Sequence, residues 1–528
     1  MKKAKRAVVS LLLAAAVCVA GFPYGPLRTA AEESAVQVPD PPYVEGAQDW
    51  SGYTPISSKQ ELMMIRFNPA GQYYLTEDII LDPADFEEGG MFFQGWQGEY
   101  FCLAEEFTGT LDGNGRSITG LRFSGGLFGN NRGTIRNLRL LEAEVSGELN
   151  EWIGAMACTN YGVIEGCLVT GTVFANFNGA VGGLVGLNEG SISQCVNGAK
   201  VEASALCGGI AGRTEGGSIT LCANWGTVFT QMGQTAAGIC GESMGTISRC
   251  ANLGEITGLS DSNTRAIGIA GGSGSMENCY NSGQVKGDYA AGIGDKEAFI
   301  ANCYNAGTVT AFEREQSPED PGDTEGPDEQ SPTGRRTLWG DGFPAGTRPS
   351  GTVSAGTGQT TRTAVATSKG ASTQPSAFSQ QTQPSFGQPE GGEAAYAVGE
   401  NCKNSYYLDT LPRGGGDSRP LTAAQMKRAD SFEGFDFETV WQMGEGNYPF
   451  PVLQGLSGEN PRILTGVAMI VPPDSTLVYM GEQPDLTGML LVAQYSDGSE
   501  EKIGDHTVEG CDPYRLGGQP ALSATGTG

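Results

Sequence analysis

Six cysteines constrain this chain more than any other feature. Cys167, Cys195, Cys222, Cys250, Cys279 and Cys303 follow one another at intervals of 28, 27, 28, 29 and 24 residues. The text around them repeats at the same interval. Gly182-Gly183-Leu184-Val185-Gly186 leads to Gly190-Ser191-Ile192, Cys195, Asn197 and Val201. Gly208-Gly209-Ile210-Ala211-Gly212 leads in the same way to Gly217-Ser218-Ile219, Cys222, Asn224 and Val228. Gly238-Ile239-Cys240-Gly241 leads to Gly245-Thr246-Ile247, Cys250, Asn252 and Ile256. Such a period marks a stack of equivalent units. Each unit carries three short apolar bursts parted by glycine, too short for helices of ~10–12 residues and of strand length. One unit is therefore predicted to be one three-stranded coil of a right-handed parallel β-solenoid, with equivalent residues ~4.8 Å apart on successive coils.

Two columns follow from stacking. Asn197, Asn224, Asn252, Asn281 and Asn305 would form an amide ladder inside one turn. The cysteines would stack within reach of disulfide geometry, and an exported chain can be oxidised. A continuous ladder, however, gives each thiol two equivalent partners, and free Cys packs as a small apolar residue, so a buried thiol stack is the favoured reading. With no C-x-x-C pair and no nearby His, zinc is poorly supported, and no metal or cofactor is assigned. The 81 glycines among 528 residues are about twice the usual ~7%. They are expected at coil corners that demand positive φ.

The ends divide the rest. Residues 1–31 read as a secretory signal: Lys2, Lys3, Lys5 and Arg6, an apolar run to Phe22, and a small-residue site at Thr29-Ala30-Ala31. That run is short of the ~20 residues a membrane span requires, so no span is expected after its removal. Residues 32–57 form a linker and 58–125 an entrance cap with the first coils; 126–312 hold the repeats. Open solenoid edges need covering, and two helical caps are predicted. Ser58-Lys59-Gln60-Glu61 reads as a capping box, and Thr422-Ala423-Ala424-Gln425 opens the second helix. The tract 313–395 is acidic, then rich in Ser, Thr, Gln, Gly and Pro, and cannot bury a core. Because Asn401-Cys402-Lys403-Asn404 echoes Asn302-Cys303-Tyr304-Asn305, the tract reads as an insertion, with the last coil and cap in 396–460. From 461 to 528 alternating strands surround a Ser496-Asp497-Gly498-Ser499 turn.

The repeats resemble GLUG-motif repeats of bacterial secreted and surface proteins, through Gly-Gly-Leu-Val-Gly-x-Asn-x-Gly-Ser-Ile and Asn-Cys-Tyr-Asn-x-Gly-x-Val. The lead-in Phe107-x-Gly109-Thr110-Leu111-Asp112-Gly113-Asn114-Gly115 is similar to that family as well. Residues 461–528 resemble a bacterial Ig-like domain, an extracellular spacer, cut short before its final strand. The resemblance implies an all-β chain: the solenoid plus a partial Ig-like β-sandwich, at the bacterial cell surface or secreted. It implies no single activity.

Charge and residue supply narrow the function. Thirty-two cations against 60 anions leave −28, which repels nucleic acid. The single His506 sits in the tail, so Ser/His chemistry is rejected. Asp112-Gly113-Asn114-Gly115 is a turn signal and a poor Ca²⁺ loop, since Arg116 stands where an oxygen ligand belongs. Glu189 and Glu215, with Glu242, could stack into a short acidic column that holds a cation or sugar; the plainer reading is a solvated face. Phe92, Phe93, Trp96 and Tyr100 could form a sugar-stacking patch, against the plainer reading of packing on the cap. No catalytic, cofactor or metal residues are assigned. The expected work is adhesion to host or matrix glycans or proteins, without catalysis. A solenoid-groove polysaccharide lyase or hydrolase and a structural spacer are the alternatives.

Overall fold

The computed structural model describes residues 38–45, 49–93, 102–147, 152–175, 179–232, 234–260, 262–312, 395–456, 458, 460–471 and 488–503, with short strands at 8–10, 477–479, 507–509 and 521–523. Trp96, Tyr100, His506 and the tract 313–394 lie outside the described residues. The fold is a parallel β-solenoid with an antiparallel sheet after it.

The coil is built from more pieces than three. Its strands are Ala180–Gly182, Val185–Asn188, Ser191–Ser193, Val196–Asn197 and Lys200–Ala203, so five short strands lie on four faces. The fourth apolar burst is broken by Gly198-Ala199, which the periodicity did not resolve. Along the chain these strands stack into parallel ladders of seven strands on the first face, six on the second and eleven on the third. The last two strands of the coil continue the fourth face. The register keeps one apolar column inside the third face: Leu111, Ile135, Ile164, Ile192, Ile219, Ile247, Met276 and Ile300 follow one another, buried.

The asparagine column is an amide ladder. Asn197 Nδ2 donates to Asn224 Oδ1 at 2.8 Å, Asn224 to Asn252 at 2.8 Å, Asn252 to Asn281 at 2.8 Å and Asn281 to Asn305 at 2.7 Å. Each amide also donates to the carbonyl two residues on, as Asn224 does to Gly226 at 2.9 Å. A second ladder, Asn131 to Asn160 to Asn188, runs at the end of the second face. It gives way to Thr214 and Ser243 on the next coils.

Some solenoid glycines hold positive φ as expected, among them Gly120, Gly171, Gly216 and Gly272, but the most regularly repeated ones do a different job. The left-handed corner before each column cysteine holds Gln194, Leu221, Arg249, Asn278 and Asn302, with Gly166 the one glycine among them, and Asn137 and Asn404 hold the same corner before Leu138 and Ser405. The next coil compensates the strain of a left-handed side-chain residue. The N–H of Gln194, for example, donates to the Thr220 carbonyl at 3.0 Å and that of Arg249 to the Glu277 carbonyl at 3.0 Å. Gly183, Gly209, Gly238, Gly268 and Gly292 instead stand where any Cβ would strike the next coil's backbone and the ladder asparagine. They are glycines for want of space.

The ends are closed by small devices. Helix α1 (Lys59–Met63) has Ser58 Oγ accepting from the Glu61 N–H at 3.3 Å, but Glu61 reaches past Ser58 to the Ser57 N–H at 2.7 Å. Helix α2 (Ala423–Met426) carries the full reciprocal box between Thr422 and Gln425. After residue 394 the chain rejoins the same ladders: Ala395 pairs with Ala290, Cys402 with Ile300 and Tyr406 with Tyr304. The fourth-face column Val196, Ala223, Ala251 changes to Tyr280, Tyr304, Tyr406. There the segment carrying Phe432, Phe435, Trp441 and Tyr448 folds over it. Tyr280 and Tyr304 stack at 5.3 Å, and the Tyr304 and Tyr448 hydroxyls meet at 2.9 Å. The Asn-Cys-Tyr-Asn variant of the repeat marks the coils that this segment covers.

Beyond the solenoid, Leu464–Val471, Leu490–Tyr495 and Glu500–Ile503 form an antiparallel three-stranded sheet over Met489, Leu491, Ala493 and Ile503. Its hairpin turns at Gly498, with Asp497 Oδ1 accepting from the Ser499 N–H at 2.8 Å. No helix among the described residues is long and apolar enough to cross a membrane.

Candidate functional site

The acidic column divides in the folded chain. The N–H groups of Glu189 and Glu215 bond to the Asn160 and Asn188 carbonyls, so these two residues are equivalent on successive coils. Glu242 belongs to the neighbouring column, in register with Arg213 and Leu187. Arg213 lies 2.9 Å from Glu215 and 3.6 Å from Glu242, so a guanidinium stands where a cation would have to bind. Arg132 sits 4.1 Å over the Tyr161 ring on the coils before.

The aromatic patch divides too. Phe92 is 2% exposed and packs on Phe86 at 5.5 Å and Phe123 at 5.9 Å, so its ring belongs to the core of the entrance and is closed to a ligand. Phe93 is 36% exposed. The Asp112 turn is structural: Asp112 Oδ1 accepts from the Asn114 N–H at 2.8 Å, and Arg136 Nε donates to Asp112 Oδ2 at 2.6 Å. That carboxylate is buried and engaged on both oxygens. Among the described residues no three His, Cys, Asp or Glu side chains gather as a metal site.

The column cysteines are free thiols, all buried. Cys195 Sγ donates to the Ser193 carbonyl at 3.1 Å and Cys303 Sγ to the Ala301 carbonyl at 3.1 Å. Burial pushes the Cys195, Cys250 and Cys303 thiols well up, and that of Cys240 up to about 12. These thiols are the neutral lining of the core. Below the ordinary thiol value near 9 the folded and unfolded chains both keep their protons, and the full stability is present. Above it the unfolded thiols ionise while the buried ones do not, so stability falls as pH rises toward 12, by ~1.4 kcal/mol for each pH unit that one thiol resists. Urea midpoints at about pH 8 and about pH 10.5 check this, with the midpoint lower at the alkaline value. An unchanged midpoint, or rapid alkylation of the native column at the lower pH, would show that burial does not hold these protons.

An arrangement that no sequence motif marks lies on the third face. On three successive coils the residues flanking the buried isoleucine are hydroxyls: Ser191 and Ser193, Ser218 and Thr220, Thr246 and Ser248. All six side chains are exposed or half-buried, and the register sets them in two rows. Thr220 Oγ1 and Ser248 Oγ lie 3.1 Å apart, a hydroxyl chain across coils. Arg136 and Glu165 bound the second row at one end and Glu277 at the other. The signal is present as hydroxyl–Ile–hydroxyl in these three repeats, but only stacking turns six scattered residues into a grid. Such a grid offers hydrogen-bond donors and acceptors every ~4.8 Å along the solenoid and no charge.

No family model matches the chain. Over 126 residues it is 35% identical to halomucin of Haloquadratum walsbyi, an alignment that takes in 22% of this chain and 1% of that protein's length. Among solved structures it is similar to a candidate immunoglobulin A1 protease from Bacteroides ovatus, with TM-score 0.36 and 21% identity over 54% of this chain and 88% of that one. It is also similar to an IgA1 protease, with TM-score 0.35 and 18% identity over 51% of this chain and 21% of that one.

Proposed function

We propose that this is a secreted, surface-associated protein of the GLUG-repeat type that binds uncharged glycan or matrix surfaces without catalysis, its C-terminal strands serving as an Ig-like spacer. The observation that carries this reading is the hydroxyl grid of the third face. A sugar polymer presents hydroxyls of its own, and paired rows of Ser and Thr exchange hydrogen bonds with them without burying a charge. The net charge of −28 disfavours anionic polymers and nucleic acid. The pairing of Arg213 with Glu215 and Glu242 leaves the acidic column less free to hold a cation, which supports the plainer reading of that edge.

A glycan array together with binding assays on matrix proteins tests the proposal. Retention on neutral glycans supports it. Depolymerisation of a polysaccharide panel, with no retained ligand, would mean an enzyme. Ser218→Lys places a long cation in the middle of the grid at an outward position, and is expected to reduce glycan retention at least tenfold with an unchanged circular dichroism spectrum, about 1.4 kcal/mol of lost affinity. Full retention by that variant would move the binding surface elsewhere.

A further inference from the structure

The two outermost strands of the solenoid share a composition. The eleven-stranded third face begins with Thr54-Pro55-Ile56, and the fourth face ends with Arg419-Pro420-Leu421. Both have two exposed residues followed by one buried, and both pair on one side only: Thr54–Ile56 with Tyr73–Leu75, and Arg419–Leu421 with Tyr406–Leu408. Among the described residues no strand pairs with the outer side of either.

The direction of the backbone groups gives these prolines a meaning. In a parallel pair, one residue's N–H and C=O address the same neighbour, and the next residue's address the other side. The Ile56 carbonyl accepts from the Thr76 N–H at 2.9 Å, so Thr54 and Ile56 face inward and Pro55 faces the open edge. At the other end the Arg419 N–H donates to the Ser405 carbonyl at 3.0 Å and the Leu421 carbonyl accepts from the Asp409 N–H at 3.0 Å. Pro420 therefore also faces outward. Each proline removes the one N–H that its strand would otherwise offer to another chain, while no inward bond is lost.

Two copies meeting head to tail would continue both faces. On the third face Thr54–Ile56 of one copy would meet Cys402–Lys403 of the next, and on the fourth Ile79–Ile80 would meet Arg419–Leu421. Each of these two junctions thus carries one outward-facing proline. Helices α1 and α2, five and four residues long, bury Leu62 and Met426 at the two ends but leave the outer side of both strands unpaired among the described residues. Residues 413–416 pack beside Cys402 at the exit, but a parallel edge left unpaired on a repeat fold is a template for an open, head-to-tail filament of identical chains.

We infer that Pro55 and Pro420 are edge stops that keep this solenoid from adding a second copy of itself end to end. The test uses the full chain. Light scattering after size exclusion is expected to give the wild-type protein the mass of one chain at every concentration. For Pro55→Val with Pro420→Val, which restores both N–H groups in a strand-favouring residue, the mass is expected to rise with concentration to that of a dimer and beyond. A folded double variant that stays at the mass of one chain would overturn the inference, and so would end-to-end assembly of the wild type. If the double variant fails to fold, Pro55→Ala and Pro420→Ala separately carry the same reading, each opening one junction and raising the mass.

Discussion

Gly209→Ala is expected to destabilise the solenoid by about 3 kcal/mol or more, although alanine adds a single methyl group. A Cβ there would stand 2.5 Å from Asn224 Cγ and nearer still to the Gly238 carbonyl oxygen. Neither neighbour can yield, because Asn224 is tied into the amide ladder and Gly238 is backbone of the next coil. The coils would have to part, and in a repeat fold the interface between neighbouring coils is where the stability resides. Gly216→Ala supplies the contrast. Gly216 has φ +69 and nothing within 4 Å of the place its methyl group would take, so alanine meets only the left-handed penalty of ~1–2 kcal/mol. Denaturant midpoints of the two variants should order them plainly, with Gly209→Ala the worse. The reverse order would mean that backbone conformation, and not space, selects glycine in the repeat.

Asn252→Leu should cost about 3–5 kcal/mol, more than its equal branching and count of side-chain heavy atoms suggest. The Asn252 amide holds three bonds in a fully buried column: it accepts from Asn224 Nδ2 at 2.8 Å and donates to Asn281 Oδ1 at 2.8 Å and to the Gly254 carbonyl at 3.0 Å. Leucine replaces none of them. The Gly254 carbonyl and the two facing amides would each lose a partner away from water, at ~1–3 kcal/mol per group. The loss should be centred on the coils around Asn252, so hydrogen exchange at Cys250–Ile256 should speed up before exchange in the entrance coils. Uniform exchange, or a loss below about 1 kcal/mol, would show that the ladder is dispensable.

These two residues show where legibility stopped. The asparagine ladder could be read from Asn197, Asn224, Asn252, Asn281 and Asn305 because a constant interval in a stacked fold means direct superposition. Its glycine partners were visible as residues and misread as to cause, since a sequence reports which residue is small and not what it would collide with. The corner that turns left-handed was assigned to glycine and is held by Gln194, Leu221 and Arg249 among others. Their strain is offset by hydrogen bonds to a coil some 28 residues further on. Glu242 shared the spacing of Glu189 and Glu215 closely enough to suggest one column. An offset of two residues along a strand placed it opposite Arg213 instead.

Periodicity alone determined that the chain is a parallel β-solenoid with stacked cysteines and asparagines, because each coil can bury its apolar side only against the next. The tertiary structure decided everything that depends on the outward direction of a side chain or on contact between distant segments. It closed Phe92 into the core, split the acidic column and set Arg213 beside two of its members, laid the Trp441 segment over the tyrosine coils and assembled the hydroxyl grid. The physical reason is that stacking repeats one coil's geometry faithfully, whereas the direction of a surface group and the path of a returning segment are set once, by packing that no repeat encodes.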